Sequence, residues 1–433
     1  MDPTSSKINT EILVKSETSS TTKQQPKNMS QIPDWIKAEL FENILCETVP
    51  EYKEIKEFRV YNALGPGENY VAIALKVQIE VLLNDNTTHT QNYFLKVAHD
   101  TDLYNTLMYK WNVFNKETEV YRVFIPDFEE MYREVGVDVR FGPHCYALPV
   151  EQEYLLLEDV SLRGFKNANR QNSLDMEHCK CALKKLAQWH AASAVRVERK
   201  GPYNEIYLKG SINPDGEPLI RSMSTAGIRN VLKVAQNLDN KVIYYAELER
   251  LSEGFCEFLL HNVEFDPLEF NVLNHGDFWC NNMMFRYDDD IENKIRDVYL
   301  VDYQMARYAS PGDDIIYFLF TSVQLGLKVA CFDELVRYYY DHLIDNLKLL
   351  KYSKKLPTLA GLHKMIMESK AYGTFAAFNI MPTALADPVD SATLDNLVND
   401  SEHNAQVYQQ ERVKQHLELV LPWMYYKGFL DCN

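Results

Sequence analysis

The sequence predicts an α+β chain in two parts, a small antiparallel-sheet lobe followed by a larger, mostly helical lobe. Two observations carry this. Between Tyr70 and Leu83 the apolar residues Val71, Ile73, Leu75, Val77, Ile79 and Val81 fall at every second position, the period of a half-buried strand. Further on, Leu183, Leu186, Ala187, His190, Ala191 and Ala194 fall on one helical stripe, and helical patterns dominate from there to the end.

The elements follow in order. Met1 to Ser30 is rich in Ser, Thr, Lys and Gln with few apolar residues, so it cannot offset the entropy of ordering and is expected to be a disordered tail. "IPDWIKAELFENILCETV" opens the fold with a helix that places Trp35, Leu40, Ile44 and Leu45 on one side. A strand around "EFRVYNAL" leads to Gly65 and Gly67. The alternating strand then turns through "NDNTTH" into "QNYFLKVA", completing a hairpin. In "WNVFNKETEVYRVFIP", Val113, Glu117, Val120 and Phe124 have helical spacing, with a stop expected at Pro126. "EYLLLEDV" reads as one more buried strand. The long helix after it has Ser173 or Asp175 as its cap, and two short strands near residues 283–302 flank the polar turn "DDDIENK". The expected division is a tail at 1–30, a sheet-rich lobe at 31–157 and a helical lobe at 158–433.

Composition narrows the function classes. The 433 residues, 46% apolar, can bury a large core, while a net charge of −17 disfavours sequence-independent binding to nucleic acid or anionic membrane. No signal-peptide core or long apolar run is evident, so a cytoplasmic protein is expected, with no obligate protein partner implied. The eight cysteines are scattered and lack zinc or redox spacing, which predicts reduced, structural thiols.

The chemistry centres on "NHGDFWCNN", Asn274 to Asn282. It precedes the two short strands, so Asp277, Asn282 and Asp302, which follows the second strand, are expected to converge. That oxygen-rich trio suits Mg²⁺ and suits zinc poorly. Alone, His-Gly-Asp is too short to separate a solvated turn from a site. The companion motifs decide. "HGDFWCNN" followed by "VDYQ" resembles the catalytic and metal loops of the kinase-like phosphotransferases, a group that includes aminoglycoside and choline kinases. With "LLLEDVSLRGF", "LAQWHAASAV" and "VYLVDYQMARYASPGDDIIYFLFTS", the chain from about residue 35 onward resembles the insect ecdysteroid kinase-like, or choline-kinase-like, family.

The resemblance implies a protein-kinase-like bilobal fold, ATP and Mg²⁺ as cofactors, and a small-molecule alcohol as acceptor. It implies Asp277 as the catalytic aspartate, Asn282 and Asp302 as metal ligands, Lys96 as the strand lysine at the nucleotide phosphates, and Glu117 as its helix partner, with Glu119 a neighbouring candidate. It further implies that Asp314 supports the catalytic loop. Gly65 and Gly67 stand where the phosphate loop belongs, although "ALGPGENY" lacks the GxGxxG pattern. Asp302 is followed by Tyr303 and Gln304 where protein kinases have Phe and Gly, and no long activation segment follows, which favours a small acceptor over a peptide.

His275 is expected to brace the loop, His190 to be a packed structural histidine, and "ESKAYGTFAAFNIMPTAL" to be core, with one face a candidate acceptor wall. The family-level acceptor is an ecdysteroid, with detoxification of xenobiotic alcohols fitting equally. Choline or ethanolamine kinase activity, or an inactive ligand-binding member of the fold, are the alternatives.

Overall fold

The computed structural model describes residues 32–63, 72–98, 111–210, 212–263, 265–288, 291, 294–387 and 402–431. The expected tail and the glycines Gly65 and Gly67 lie outside the described residues. The chain divides into two compact units, residues 1–104 with 143–160, and residues 105–142 with 161–433. This is the expected α+β, bilobal, protein-kinase-like organisation: an antiparallel-sheet lobe and a larger, mostly helical one. Elements are numbered in chain order.

The first unit holds helix α1 (Glu42–Thr48) and a five-stranded antiparallel sheet of β1 (Tyr52–Asn62), β2 (Ala72–Leu83), β3 (Thr88–Ala98), β4 (Cys145–Tyr146) and β5 (Tyr154–Glu158), in the order β1-β2-β3-β5-β4. The two-residue period does what it must. Leu75, Val77, Ile79 and Val81 of β2 and Tyr93, Leu95 and Val97 of β3 enter one core with Phe41, Ile44 and Leu45. Each such side chain contributes roughly 1.5–3 kcal/mol of burial.

In the second unit, α2 (Val113–Glu119) and α3 (Ile125–Glu134) form a nearly continuous rod. The stop expected at Pro126 does not occur. A π-turn over Val120–Phe124 precedes it, with Ile125 N–H bonding Val120 O, and Pro126 then sits in the first turn of α3, where its missing N–H costs nothing. Although the sequence places residues 111–142 in the sheet-rich stretch, they pack with the helical unit. The Phe128 and Phe141 rings lie 4.7 and 5.3 Å from Trp189 of helix α4 (Met176–Lys200).

The expected α4 stripe is buried throughout, and Asp175, rather than Ser173, caps the helix by accepting the His178 N–H at 3.0 Å. After the short strand β6 (Phe165–Asn167), which precedes α4, come α5 (Glu217–Ala235), α6 (Tyr245–Ser252) and α7 (Phe255–His261). The strands β7 (Val272–Asn274), β8 (Met283–Tyr287), β9 (Ile295–Leu300) and β10 (Arg307–Ala309) follow, with β10 on β7 and β6-β8-β9 as a second small sheet. The remainder is helical: α8 (Gly312–Thr321), α9 (Leu325–Lys328), α10 (Phe332–Leu349), α11 (Leu359–Glu368), α12 (Lys370–Phe375), α13 (Met381–Leu385), α14 (Glu402–Gln409) and α15 (Glu411–Tyr426). The run at 368–385 is largely buried core, as its sequence predicts, and contains a second π-turn at Ala376–Ile380. Among the described residues no cysteine is in a disulfide, and no helix is long and apolar enough to cross a membrane.

Candidate functional site

Two antiparallel pairings build the site. β7 pairs with β10, matching Asn274 to Arg307, and β8 pairs with β9, matching Met283 to Leu300. The loop 275–282 therefore runs from the end of β7 to the start of β8, while residues 301 and 302 leave the end of β9 beside it. The Val301 N–H donates to Asn282 O at 3.0 Å, which brings the two ends together.

The glycine of His-Gly-Asp is dictated twice. Gly276 has φ +80°, and a Cβ there would stand 2.0 Å from the Met305 carbonyl oxygen. The loop thus lies directly on the turn that follows Asp302. Asp302 itself adopts a left-handed backbone, φ 68° and ψ 60°, uncommon for a residue with a side chain and a pattern concentrated at functional sites.

Helix α8 clamps the loop from behind. Asp314, buried in its first turn, accepts the His275 N–H at 2.6 Å and the Gly276 N–H at 2.9 Å, one on each carboxylate oxygen. His190 Nε2 donates to the same carboxylate at 3.2 Å, and its Nδ1 accepts the Tyr339 hydroxyl at 2.6 Å. Burial pushes the His190 pKa down, against the opposing pull of the Asp314 carboxylate, which favours the neutral ring in this bridge. Asn274 ties the assembly to the helix start: its Nδ2 donates to the Ala309 and Ser310 carbonyls, and its Oδ1 accepts the Asp314 N–H.

His275 is also a brace. Its Nε2 donates to Val301 O at 3.0 Å, its Nδ1 accepts the Asp277 N–H at 3.4 Å, and its ring lies 4.7 Å from Tyr303. Both nitrogens are committed in the neutral form, and burial lowers the pKa accordingly.

At the centre, Asn282 Nδ2 donates to Asp277 O at 3.0 Å and to Asp277 Oδ2 at 2.9 Å. Two acceptors at that prong fix the amide's orientation and turn its oxygen away from the Asp277 carboxylate. The Tyr317 hydroxyl donates to Asp277 Oδ1 at 2.5 Å. Burial pushes the Asp277 carboxyl up to about 6; the Tyr317 hydrogen bond opposes this, the Asp302 charge adds to it, and the Asn282 hydrogen bond opposes it.

The structure brings Asp277, Asn282 and Asp302 together within the helical unit. Two carboxylates and an amide oxygen are hard donors of the kind Mg²⁺ takes alongside water and phosphate. Among the described residues no three His, Cys, Asp or Glu side chains gather as a metal site. Lys96 lies on β3 between Ala74 of β2 and Leu155 of β5, half-buried, on the sheet face opposite Tyr93, Leu95 and Val97. Glu117 lies on α2 in the other unit and is buried, whereas its neighbour Glu119 accepts the Tyr207 hydroxyl at 2.9 Å. Tyr317 escaped the sequence reading. The available signal was its place three residues after Asp314, which puts both on one face of a helix.

Among solved structures, an ethanolamine kinase from Plasmodium vivax is similar at 10% identity and TM-score 0.34, over 72% of this chain and 77% of that one. A glucosamine kinase in complex with glucosamine, ADP and inorganic phosphate is similar at 12% identity and TM-score 0.23, over 90% of this chain and 98% of that one. Likenesses this distant carry no information about the acceptor. No curated protein sequence matches significantly. The ecdysteroid kinase-like family model matches residues 66–352, more than half of the 433-residue chain, and the chain belongs to that family.

Proposed function

We propose that the protein is a phosphotransferase that moves the γ-phosphoryl group of ATP to a hydroxyl of a small lipophilic molecule, an ecdysteroid-type steroid or a xenobiotic alcohol. The observation that carries this reading is the pairing of Asp277 with Asn282 on a loop clamped by Asp314, with Asp302 leaving the adjacent strand beside it, in a chain of this family.

The residues divide the work as phosphoryl transfer requires. The transition state is loose, so the protein contributes chiefly position and charge. Asp277 orients the acceptor hydroxyl and takes its proton late in transfer. The Asn282 amide oxygen and the Asp302 carboxylate would hold magnesium, which when bound supplies positive charge to the phosphate oxygens. Lys96 serves as the phosphate-contacting lysine and Glu117 as the carboxylate assigned with it by family likeness. Gly65 and Gly67 are proposed for the phosphate loop on that likeness alone. A small acceptor is supported by the short path from Asp302 to α8, occupied by one turn and β10, which leaves no peptide platform in that segment.

The test is a panel of hydroxylated metabolites, containing polyhydroxylated steroids, plant alcohols, choline and ethanolamine, incubated with the full chain and Mg·ATP and read by mass detection of phosphate adducts. Adducts on steroids or lipophilic alcohols are expected. Adducts confined to choline or ethanolamine would move the protein to the cationic-acceptor reading. Ligand binding without any adduct would make it an inactive member.

A further inference from the structure

We propose that Tyr317 is a positioning residue of the transfer step, its phenol O–H holding the Asp277 carboxylate in the rotation that turns a lone pair toward the acceptor hydroxyl. This rests on the reading of Asp277 given above.

The geometry starts from the helix. Asp314 and Tyr317 lie three residues apart on α8 and therefore share a face. Asp314 sets the helix in register with the loop backbone through the His275 and Gly276 amides, and Tyr317, one turn on, reaches the carboxylate that the same loop carries. One rigid element thus fixes both the main chain and the side chain of the segment 275–277.

An aspartate carboxylate rotates easily, because its terminal torsion has a broad, roughly two-fold profile. At Asp277 each oxygen is instead taken by a separate donor, Asn282 Nδ2 on Oδ2 and the Tyr317 hydroxyl on Oδ1. Two donors on two oxygens define the plane of the group. An ionised carboxylate offers about four lone-pair sites, so room remains for the acceptor O–H. Among the described residues Asp277 is the only hydrogen-bond partner recorded for the Tyr317 hydroxyl, and the tyrosine is otherwise packed in the core. Burial and the adjacent carboxylate hold the phenol pKa well above its ordinary value, which keeps it a donor.

In the step served, the acceptor oxygen forms a bond to the γ-phosphorus, the bond from that phosphorus to the β,γ-bridging oxygen breaks, and ADP leaves with the electron pair. The alcohol proton passes to Asp277. Tyr317 gives up no proton and touches neither reactant; it acts through Asp277.

The experiment compares the full-length wild type, Tyr317→Phe, Asp277→Asn and the double variant, with Mg·ATP and the best acceptor of the panel, or water where none is turned over. Tyr317→Phe is expected to lower kcat by roughly 10- to 100-fold, the scale of a misplaced reacting group. KM for ATP and the unfolding midpoint should stay at wild-type values. In the Asp277→Asn background the phenylalanine should cause no further loss of the residual rate, because the residue it serves is already gone. A wild-type kcat in Tyr317→Phe, an equal fractional loss in both backgrounds, a parallel rise in KM for ATP, or failure of Tyr317→Phe to fold would each overturn the inference. Wild-type turnover by Asp277→Asn would instead overturn the reading of Asp277 on which it rests.

Discussion

Replacing Asp314 with Asn isolates the clamp on the catalytic loop, because the side chain keeps its shape and loses half its acceptors. The carboxylate serves three donors: the His275 N–H at 2.6 Å, the Gly276 N–H at 2.9 Å and His190 Nε2 at 3.2 Å. An amide has one oxygen, so its NH₂ prong must face one of those donors with a donor of its own. A hydrogen bond to a charged group contributes about 1.5–3 kcal/mol, and a buried donor left unpaired costs a comparable amount. We expect a local loss of about 3 kcal/mol, which is roughly a hundredfold in an opening equilibrium. Hydrogen exchange reads this directly: the amides of residues 275 and 276 should exchange about a hundred times faster in the variant, with the sheet unit unaffected. Transfer should fall by a similar factor, since the loop carries Asp277. Wild-type exchange at 275 and 276 would refute the clamp.

Two further outcomes follow from the same structure. Lys328 is buried, with its ammonium on Phe320 O and 3.6 Å from Met381 Sδ, and burial lowers its pKa from 10.5 to about 7. At and below pH 7 the fold must bury a charge, a cost of up to about 5 kcal/mol; between pH 7 and 10.5 only the unfolded chain still binds the proton, so wild-type stability recovers as pH rises. Lys328→Met should therefore raise the unfolding midpoint most at pH 6–7 and lose its advantage toward pH 10.5; a gain that does not vary with pH would contradict the buried-charge account. Asn282→Ala removes an expected magnesium ligand and one of the two donors to Asp277. The Mg²⁺ concentration for half-maximal ATP turnover should rise at least about tenfold, and an unmoved midpoint would remove Asn282 from the metal site.

Much of this architecture was legible because it rests on periodicity. Val77, Ile79 and Val81 announce β2, and Leu183, Leu186 and Ala187 announce the buried side of α4. The grouping of Asp277, Asn282 and Asp302 was legible from the hairpin between them. Pro126 misled because a helix interior has no place for its ring and missing N–H, whereas the π-turn at Val120–Phe124 leaves it in the first turn of α3, where neither matters. Tyr317 offered only its spacing from Asp314, for a related reason. In "DDIIYFLF" it looks like one more apolar helix residue, and only the fold reveals that its hydroxyl meets a loop forty positions earlier. Gly276 carried a partial signal: its type suggested a turn, but the Met305 carbonyl that forbids any side chain there comes from a distant segment.

The central claim is that Asp277 orients the acceptor for phosphoryl transfer, and single-turnover transfer from labelled Mg·ATP by wild type and Asp277→Asn tests it most directly. The variant should bind ATP as the wild type does and keep its fold, while transfer falls by roughly 10²- to 10⁴-fold, the range of a positioned acid–base group. Transfer by Asp277→Asn at the wild-type rate would contradict the account.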